Sequence, residues 1–319
     1  MKPLVSVITI TYNHAPYIRN CIEGVLMQKT TFPFEHIIGE DCSTDGTREI
    51  VLDYAQRYPG IIRAVTSESN VGVKANAIRV HAACQGEYFA YCDGDDFWID
   101  PLKLQKQYDA CVKYDAGLVA HGTIFLIYEN NKIVKSEVRS TQDESGYLAA
   151  EDIILKNKNY ELSSMFIRSD ILKKLPRWIE EAPTGDVPIK LISASLGKVY
   201  FINEIMSVYR YGVWGSWTSR QDTDMQADES KRIGFEKAYL GLYKNFDEFS
   251  GFRYTSAVRQ RVRKRLENYY NNYGNLNCLD ISDAEKKRIK LIAALSRFVP
   301  IRWRDRIVKS QVDKYLPFA

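Results

Sequence analysis

The chain has 319 residues, 45% of them hydrophobic and 26% charged, the balance of a folded globular protein rather than a disordered, collagenous or membrane-spanning one. That length exceeds the common single-domain size but suits one α/β catalytic domain with a C-terminal appendage. The net charge of +4 hides an asymmetry: residues 252–319 hold 16 Lys/Arg against 6 Asp/Glu, a net +10, which leaves −6 on the first 251 residues.

Met1-Lys2-Pro3 runs directly into the apolar β-branched stretch Leu4–Thr11, which is too short for the apolar core of a signal peptide and carries no small-residue cleavage site. No run reaches the roughly 18 apolar residues of a spanning helix, so a cytoplasmic protein is expected. Leu4–Thr11, Phe34–Glu40, Ile61–Thr66 and Tyr88–Cys92 read as strands, and the segments near 15–28, 45–58, 73–84 and 101–114 as helices. Alternation at this spacing means βαβ units and a mostly parallel sheet covered by helices. Between 116 and 218 the pattern is mixed, with a strand at Leu118–Tyr128, a polar stretch at 129–146, a strand at Ser163–Ile167 and a helix at Asp186–Leu196 closed by Gly197. From 219 the chain reads as helical, near 222–245, 252–271, 282–298 and 303–315. The six cysteines, Cys21, Cys42, Cys84, Cys92, Cys111 and Cys278, show no CxxC pair and no zinc spacing, which predicts reduced thiols.

In parallel sheets ligands bind at the carboxyl ends of the strands. The polar clusters fall there: Tyr12-Asn13-His14, Asp41-Cys42-Ser43-Thr44-Asp45, Ser67-Glu68-Ser69-Asn70 and Asp93-Gly94-Asp95-Asp96 follow the first four strands in turn. Asp93–Asp96 holds three carboxylates in four residues, and like charges this close call for a cation. Mg²⁺ or Mn²⁺ is commonly held by one or two carboxylates together with substrate phosphate oxygens. A solvated turn in which Asp96 or Asp100 caps the next helix explains the tetrapeptide equally. An aspartate in Glu40–Thr47 can accept a hydrogen bond from a nucleobase N–H, while Ser43 or Thr44 is expected to cap the helix that follows. Lys74, after Asn70-Val71-Gly72-Val73, stands in a first helical turn where phosphate binds; a solvated surface lysine is the alternative.

Together these motifs resemble inverting glycosyltransferases of family 2, with the GT-A fold. The resemblance rests on Ser6-Val7-Ile8 with Tyr12-Asn13, Glu40–Thr47, Asn70-Val71-Gly72, and Gly86-Glu87-Tyr88 leading into Asp93-Gly94-Asp95-Asp96-Phe97-Trp98, in this order and spacing. Asp100–Gln107 is similar to a bacterial subgroup that modifies surface polysaccharides. The resemblance extends to about Thr218, through Leu162-Ser163-Ser164-Met165 and Gly185-Asp186. It implies a catalytic domain at 1–218, with a nucleotide-binding half at 1–115 and an acceptor half at 116–218, and a helical basic region at 219–319. It further implies a nucleotide-sugar donor, a UDP-sugar, held by Thr11, Tyr12, Asn13, Asp41, Asn70, Lys74, Asp93, Gly94 and Asp95. Within that set Asp41 would contact the base, Asp95 would bind Mn²⁺ or Mg²⁺, Asp93 would contact the ribose or that metal, and Asp186 would be the general base toward a saccharide or polyprenyl-linked acceptor. The subgroup usually has a histidine where Gly212 stands and an arginine where Ala77 stands; Lys74 and Arg79 are the available substitutes for that arginine.

Two rivals remain open at this stage. A sugar nucleotidyltransferase should carry a glycine-rich loop after the first strand, and Thr11-Tyr12-Asn13-His14 has no glycine. A non-catalytic sugar-nucleotide-binding protein fits the missing histidine but not the intact Asp93, Asp95 and Asp186. In the tail, Ile289, Ile292, Leu295, Phe298 and Ile301 interleave with eight Lys/Arg between 286 and 306. An interfacial helix on an anionic membrane has this pattern, which points to peripheral association at the inner face of the cell membrane through 252–319. A helical hairpin packed on the catalytic domain with its basic residues in water has the same pattern. Nucleic acid is not expected as a partner of an acidic crevice.

Overall fold

The computed structural model describes residues 2–298 apart from 157, 214, 217, 220–222, 224 and 226; the helix expected at 303–315 lies outside the described residues. The chain divides into two compact units, residues 1–228 and residues 229 onward.

The first unit begins as a βαβ series: β1 (Val5–Thr11), α1 (Ile18–Leu26), β2 (Phe34–Glu40), α2 (Thr47–Arg57), β3 (Ile62–Thr66), α3 (Val73–Ala83) and β4 (Tyr88–Tyr91). These strands pair in parallel in the order β3-β2-β1-β4. Side chains alternate across a strand, so Val5 and Val7 pack with Ile18, Ile22 and Val25 of α1 and Val51 of α2. Ile8 joins a different cluster, with Val80 of α3. With helices on both faces, β1 is buried on both sides, its polar residues Ser6 and Thr9 included. Strand order reverses between β1 and β4, and the carboxyl ends at such a reversal open a ligand crevice.

The rest of the unit comprises β5 (Phe97–Trp98), α4 (Lys103–Lys113), β6 (Ala116–Glu129), β7 (Lys132–Arg139), β8 (Gly146–Leu148), α5 (Ala150–Leu155), β9 (Phe166–Arg168), α6 (Ser169–Leu172), α7 (Asp186–Leu196) and β10 (Lys198–Tyr211). The sheet continues from β4 as β9-β6-β10-β5. β9 runs antiparallel to both of its neighbours, and β10 lies parallel to β6. The polar stretch at 129–146 is not a loop: β7 folds back on β6 through Asn130-Asn131, both at positive φ, the two-residue turn that suits a hairpin. Gly197 does end α7, its N–H bonding Ser193 O at 3.0 Å. Its backbone is extended, with φ −158°, and runs straight into β10. β10, fourteen residues long, has no counterpart in the expectations from sequence.

The second unit contains α8 (Glu229–Phe249), α9 (Thr255–Tyr273) and α10 (Asp283–Phe298). α10 begins with a reciprocal cap: Glu285 N–H donates to Ser282 Oγ, and Ser282 N–H donates to Glu285 Oε2, both at 3.2 Å. Leu266 and Tyr269 of α9 pack with Leu276, Leu279 and Ile289. Ile289, the first apolar position of the basic stripe, is therefore enclosed within this unit. Among the described residues no helix is long and apolar enough to cross a membrane, and all six cysteines are free thiols.

Candidate active site

The loops that follow β1, β2 and β3 are hydrogen-bonded to one another. Asn13, at φ 57°, accepts the Thr44 N–H on Oδ1 at 2.9 Å and donates its own N–H to Ser43 Oγ at 3.0 Å. Asp45 accepts the Ala15 N–H on one oxygen at 2.9 Å and the Thr47 N–H on the other at 3.0 Å. The capping expected of Ser43 or Thr44 therefore falls to Asp45, because Ser43 Oγ is turned toward the first loop. Asp41 is 2% exposed and binds the third loop: Oδ1 accepts Val71 N–H and Oδ2 accepts Gly72 N–H, both at 2.9 Å. Asn70 Oδ1 also accepts the Gly72 N–H, at 3.0 Å. Tyr12 is half-buried between Thr11 and Asn13.

Of the two substitute cations, Arg79 stands near Asp41, its Nη2 3.7 Å from Oδ1. Lys74 turns away and donates to the Glu180 carbonyl at 2.8 Å. That bond joins the first turn of α3 to the segment just ahead of Asp186.

The acidic turn sits against the first loop. A Cβ on Gly94 would lie 2.5 Å from Thr11 Oγ1 and 2.8 Å from His14 Nδ1, so no larger residue fits without displacing that loop. The same packing brings His14 Nε2 to 4.0 Å from Asp95 Oδ2. Burial, reinforced by the charges of Asp95 and Asp186, lifts the Asp93 carboxyl to about 8. Asp186 is the first residue of α7, so that helix starts within electrostatic range of Asp93. Burial alone would also raise Asp186. Lys190, one turn on with Nζ at 2.8 Å from Oδ2, outweighs it and holds Asp186 below the usual carboxylate range.

Asp96 has another duty. Its carboxylate is 2% exposed, accepts the Arg210 backbone N–H at 3.0 Å, and is driven well above its ordinary range by burial and then by Asp95 and Asp93. It does not cap α4; Asp100 instead accepts the Leu102 N–H at 2.8 Å. Arg210 escaped the sequence reading. β5 pairs antiparallel with β10, Val208 opposite Phe97, and this register carries Arg210 to the turn. There its Nη1 donates to Asp95 O at 2.7 Å and its Nη2 to Asn20 Oδ1 at 3.0 Å, with the guanidinium 4.4 Å from the Phe97 ring centroid. Gly212 follows at φ +82°, and a Cβ there would lie 2.6 Å from Tyr128 O. This backbone excludes the histidine of the subgroup.

Toward the acceptor half, a cavity of about 310 Å³ is lined by His121, Thr123, Arg139, Asn159, Tyr160 and Glu161 among others. Lys190 links it to the crevice, since its Nζ also lies 5.3 Å from the Tyr160 ring centroid.

Residues 6–175 match glycosyl transferase family 2. The chain belongs to that family. An uncharacterized protein of Mycobacterium tuberculosis H37Rv is 33% identical over 220 residues, 67% of this chain and 60% of its own length. TuaG of Bacillus subtilis, named as a glycosyltransferase of teichuronic acid biosynthesis, is 42% identical over 33% of this chain and 41% of its own. The chain thus spans less than two thirds of the length of these relatives. Among solved structures, Staphylococcus aureus TarS 1–349 in complex with UDP-GlcNAc superposes with a TM-score of 0.60 at 17% identity, over 85% of this chain and 73% of that one. The mannosyltransferase PcManGT of Pyrobaculum calidifontis, solved with GDP-Man and Mn²⁺, gives a TM-score of 0.53 at 15% identity, over 98% and 87%. The shared architecture is the GT-A fold, a mixed sheet flanked by helices.

Proposed function

We propose that the chain is an inverting glycosyltransferase. It transfers a sugar from a nucleoside diphosphate donor, with UDP as the nucleotide, to a hydroxyl of a saccharide or polyprenyl-linked saccharide in surface-polysaccharide synthesis. The carrying observation is the packing of the acidic turn against the first loop, with Gly94 on Thr11 and His14 and Asp95 4.0 Å from His14; burial, and then the charges of Asp95 and Asp186, lift Asp93 to about 8. Like charges drawn together this way fit a cation between them and the donor diphosphate.

The residues fit a divalent ion, Mn²⁺ or Mg²⁺, on Asp95 and Asp93. Among the described residues no group of three His, Cys, Asp or Glu side chains is arranged to hold a metal, so part of the shell falls to substrate oxygens, as Mg²⁺ ordinarily accepts. When bound, the ion would offset charge on the departing diphosphate. Asp186, kept ionised by Lys190, accepts the proton of the acceptor hydroxyl as its oxygen bonds the anomeric carbon and the bond to diphosphate breaks. One displacement turns an α-linked donor into a β-linked product. Asp41, Asn70, Thr11, Tyr12 and Asn13 shape the nucleotide end, and Gly94 lets the acidic turn approach it. The binding of UDP-GlcNAc by TarS and of GDP-Man with Mn²⁺ by PcManGT supports the donor class; the TuaG name supports the acceptor class.

A screen of nucleotide sugars by thermal stabilisation and donor hydrolysis tests this reading. Stabilisation by a UDP-sugar that requires Mn²⁺ and disappears in Asp95→Ala is expected; if no nucleotide sugar stabilises the protein with or without metal, the reading fails. The basic segment from 252 is proposed to add electrostatic attraction to anionic lipid. Its charge supports this, while Ile289, enclosed in its own unit, adds no insertion. Flotation with phosphatidylglycerol vesicles should then be abolished by high salt, and absence from the lipid fraction at low salt removes the membrane role.

A further inference from the structure

The cavity beside α7 carries two buried polar atoms without a partner. His121 is 1% exposed; its Nδ1 lies 2.8 Å from Gly122 O. A carbonyl only accepts, so Nδ1 holds the proton. The buried ring is neutral, which leaves Nε2 a bare acceptor with nothing bound. Tyr160 is 3% exposed, and its hydroxyl is likewise without a partner. Buried polar groups are rarely left in this state, and these two line one cavity. One is an acceptor and the other a donor, the complement of a hydroxyl, which both gives and takes a hydrogen bond.

At about 310 Å³ the space falls within the size range of small-ligand sites. It adjoins the proposed base: Lys190, paired with Asp186, also touches Asn159 Oδ1 at 3.4 Å and faces the Tyr160 ring. Glu161 lies in the field of both Lys190 and Asp186. A sugar ring seated here would have one hydroxyl between His121 and Tyr160 while a neighbouring part of the ring faces Asp186.

We infer that this cavity is the subsite for the acceptor's reacting glycosyl unit, and that Tyr160 and His121 select it by reading one of its hydroxyl groups. The inference rests on the glycosyltransferase reading and adds the residues that discriminate between acceptors. It makes both side chains specificity determinants, distinct from the base.

The test uses the full chain, its UDP-sugar, and a panel of methyl hexopyranosides differing at single hydroxyls, with a uronic acid and an N-acetyl member. Saturation-transfer NMR in the presence of UDP should show binding of at least one; binding of none overturns the inference. For the best glycoside, Tyr160→Phe should raise the acceptor KM about tenfold with donor hydrolysis in water unchanged. His121→Asn keeps a donor in the Nδ1 position, deletes the Nε2 acceptor, and should act alike. The deoxy analogue lacking the hydroxyl that is read should lose the same factor with the native chain and little further with Tyr160→Phe. If both variants leave acceptor KM unaltered, or change donor hydrolysis by as much as transfer, the inference fails while donor hydrolysis still upholds the enzyme. Absence of any donor turnover in the native chain would instead remove the broader reading.

Discussion

The loops after β1 to β4 and the cavity beside α7 meet polar groups in opposite ways. Asn13, Asp41 and Asp45 spend their side-chain oxygens on backbone N–H groups of neighbouring loops, and Asp96 ties the fourth loop to the Arg210 N–H. In the cavity, His121 Nε2 and Tyr160 Oη are buried with nothing to bind. The first arrangement is already organised for its ligand and gives up little freedom on binding. The second is completed only by what enters it.

The sharpest way to separate the halves is Asp186→Asn. It should lower transfer about 10³-fold, within the range of lost general-base catalysis, with donor affinity changed less than about twofold. Full transfer by this variant would remove Asp186 as the base and with it the functional division between the halves.

Breaking the donor half from outside comes next. Arg210→Ala deletes the bonds to Asp95 O and Asn20 Oδ1 and the contact with the Phe97 ring, which should cost about 2 kcal/mol of stability. It should also weaken metal-dependent donor binding, because the turn that carries Asp95 loses its brace. Unchanged denaturant midpoint and donor affinity together would show that the loops need no such brace.

A smaller effect follows from pH. Asp93 titrates in an unfolded chain near the ordinary carboxylate value of about 3.9 and in the folded chain at about 8. Its raised value means that the protonated acid favours the fold. That contribution is complete below about 4 and is lost as pH rises through 8. The melting temperature of the ligand-free protein should therefore fall between pH 5 and 8.5, and Asp93→Asn should flatten the slope. An equal slope in both proteins would place the effect elsewhere.

Much of this site was legible in the amino-acid order, since β1 to β4 are short apolar runs ended by turn-forming polar clusters, and a parallel sheet sends all four ends to one edge. Asp41, Asp93 and Asp95 lie on these local signals, whereas Asp186, at the start of α7, was reached only through the family resemblance. Arg210 lies on no such signal. Its place depends on β5, two residues long, pairing with a strand more than a hundred residues away, and on β10, whose pattern is broken by register shifts between Ile202 and Ser207. β7 was hidden for a different reason: nearly all its residues are exposed, so no apolar alternation marks it. The capping by Asp45 was obscured because Ser43 and Thr44 are equally good local candidates, and only the fold of the first loop distinguishes them.

Gly212 constrains the hairpin beside it. With Tyr128 O only 2.6 Å from where a Cβ would stand, a mutation to histidine in this background meets a backbone clash before it can offer an imidazole to anything. The hairpin end at Tyr128 must first move aside. In this chain, a side chain at position 212 and the present course of the β6–β7 hairpin are thus mutually exclusive.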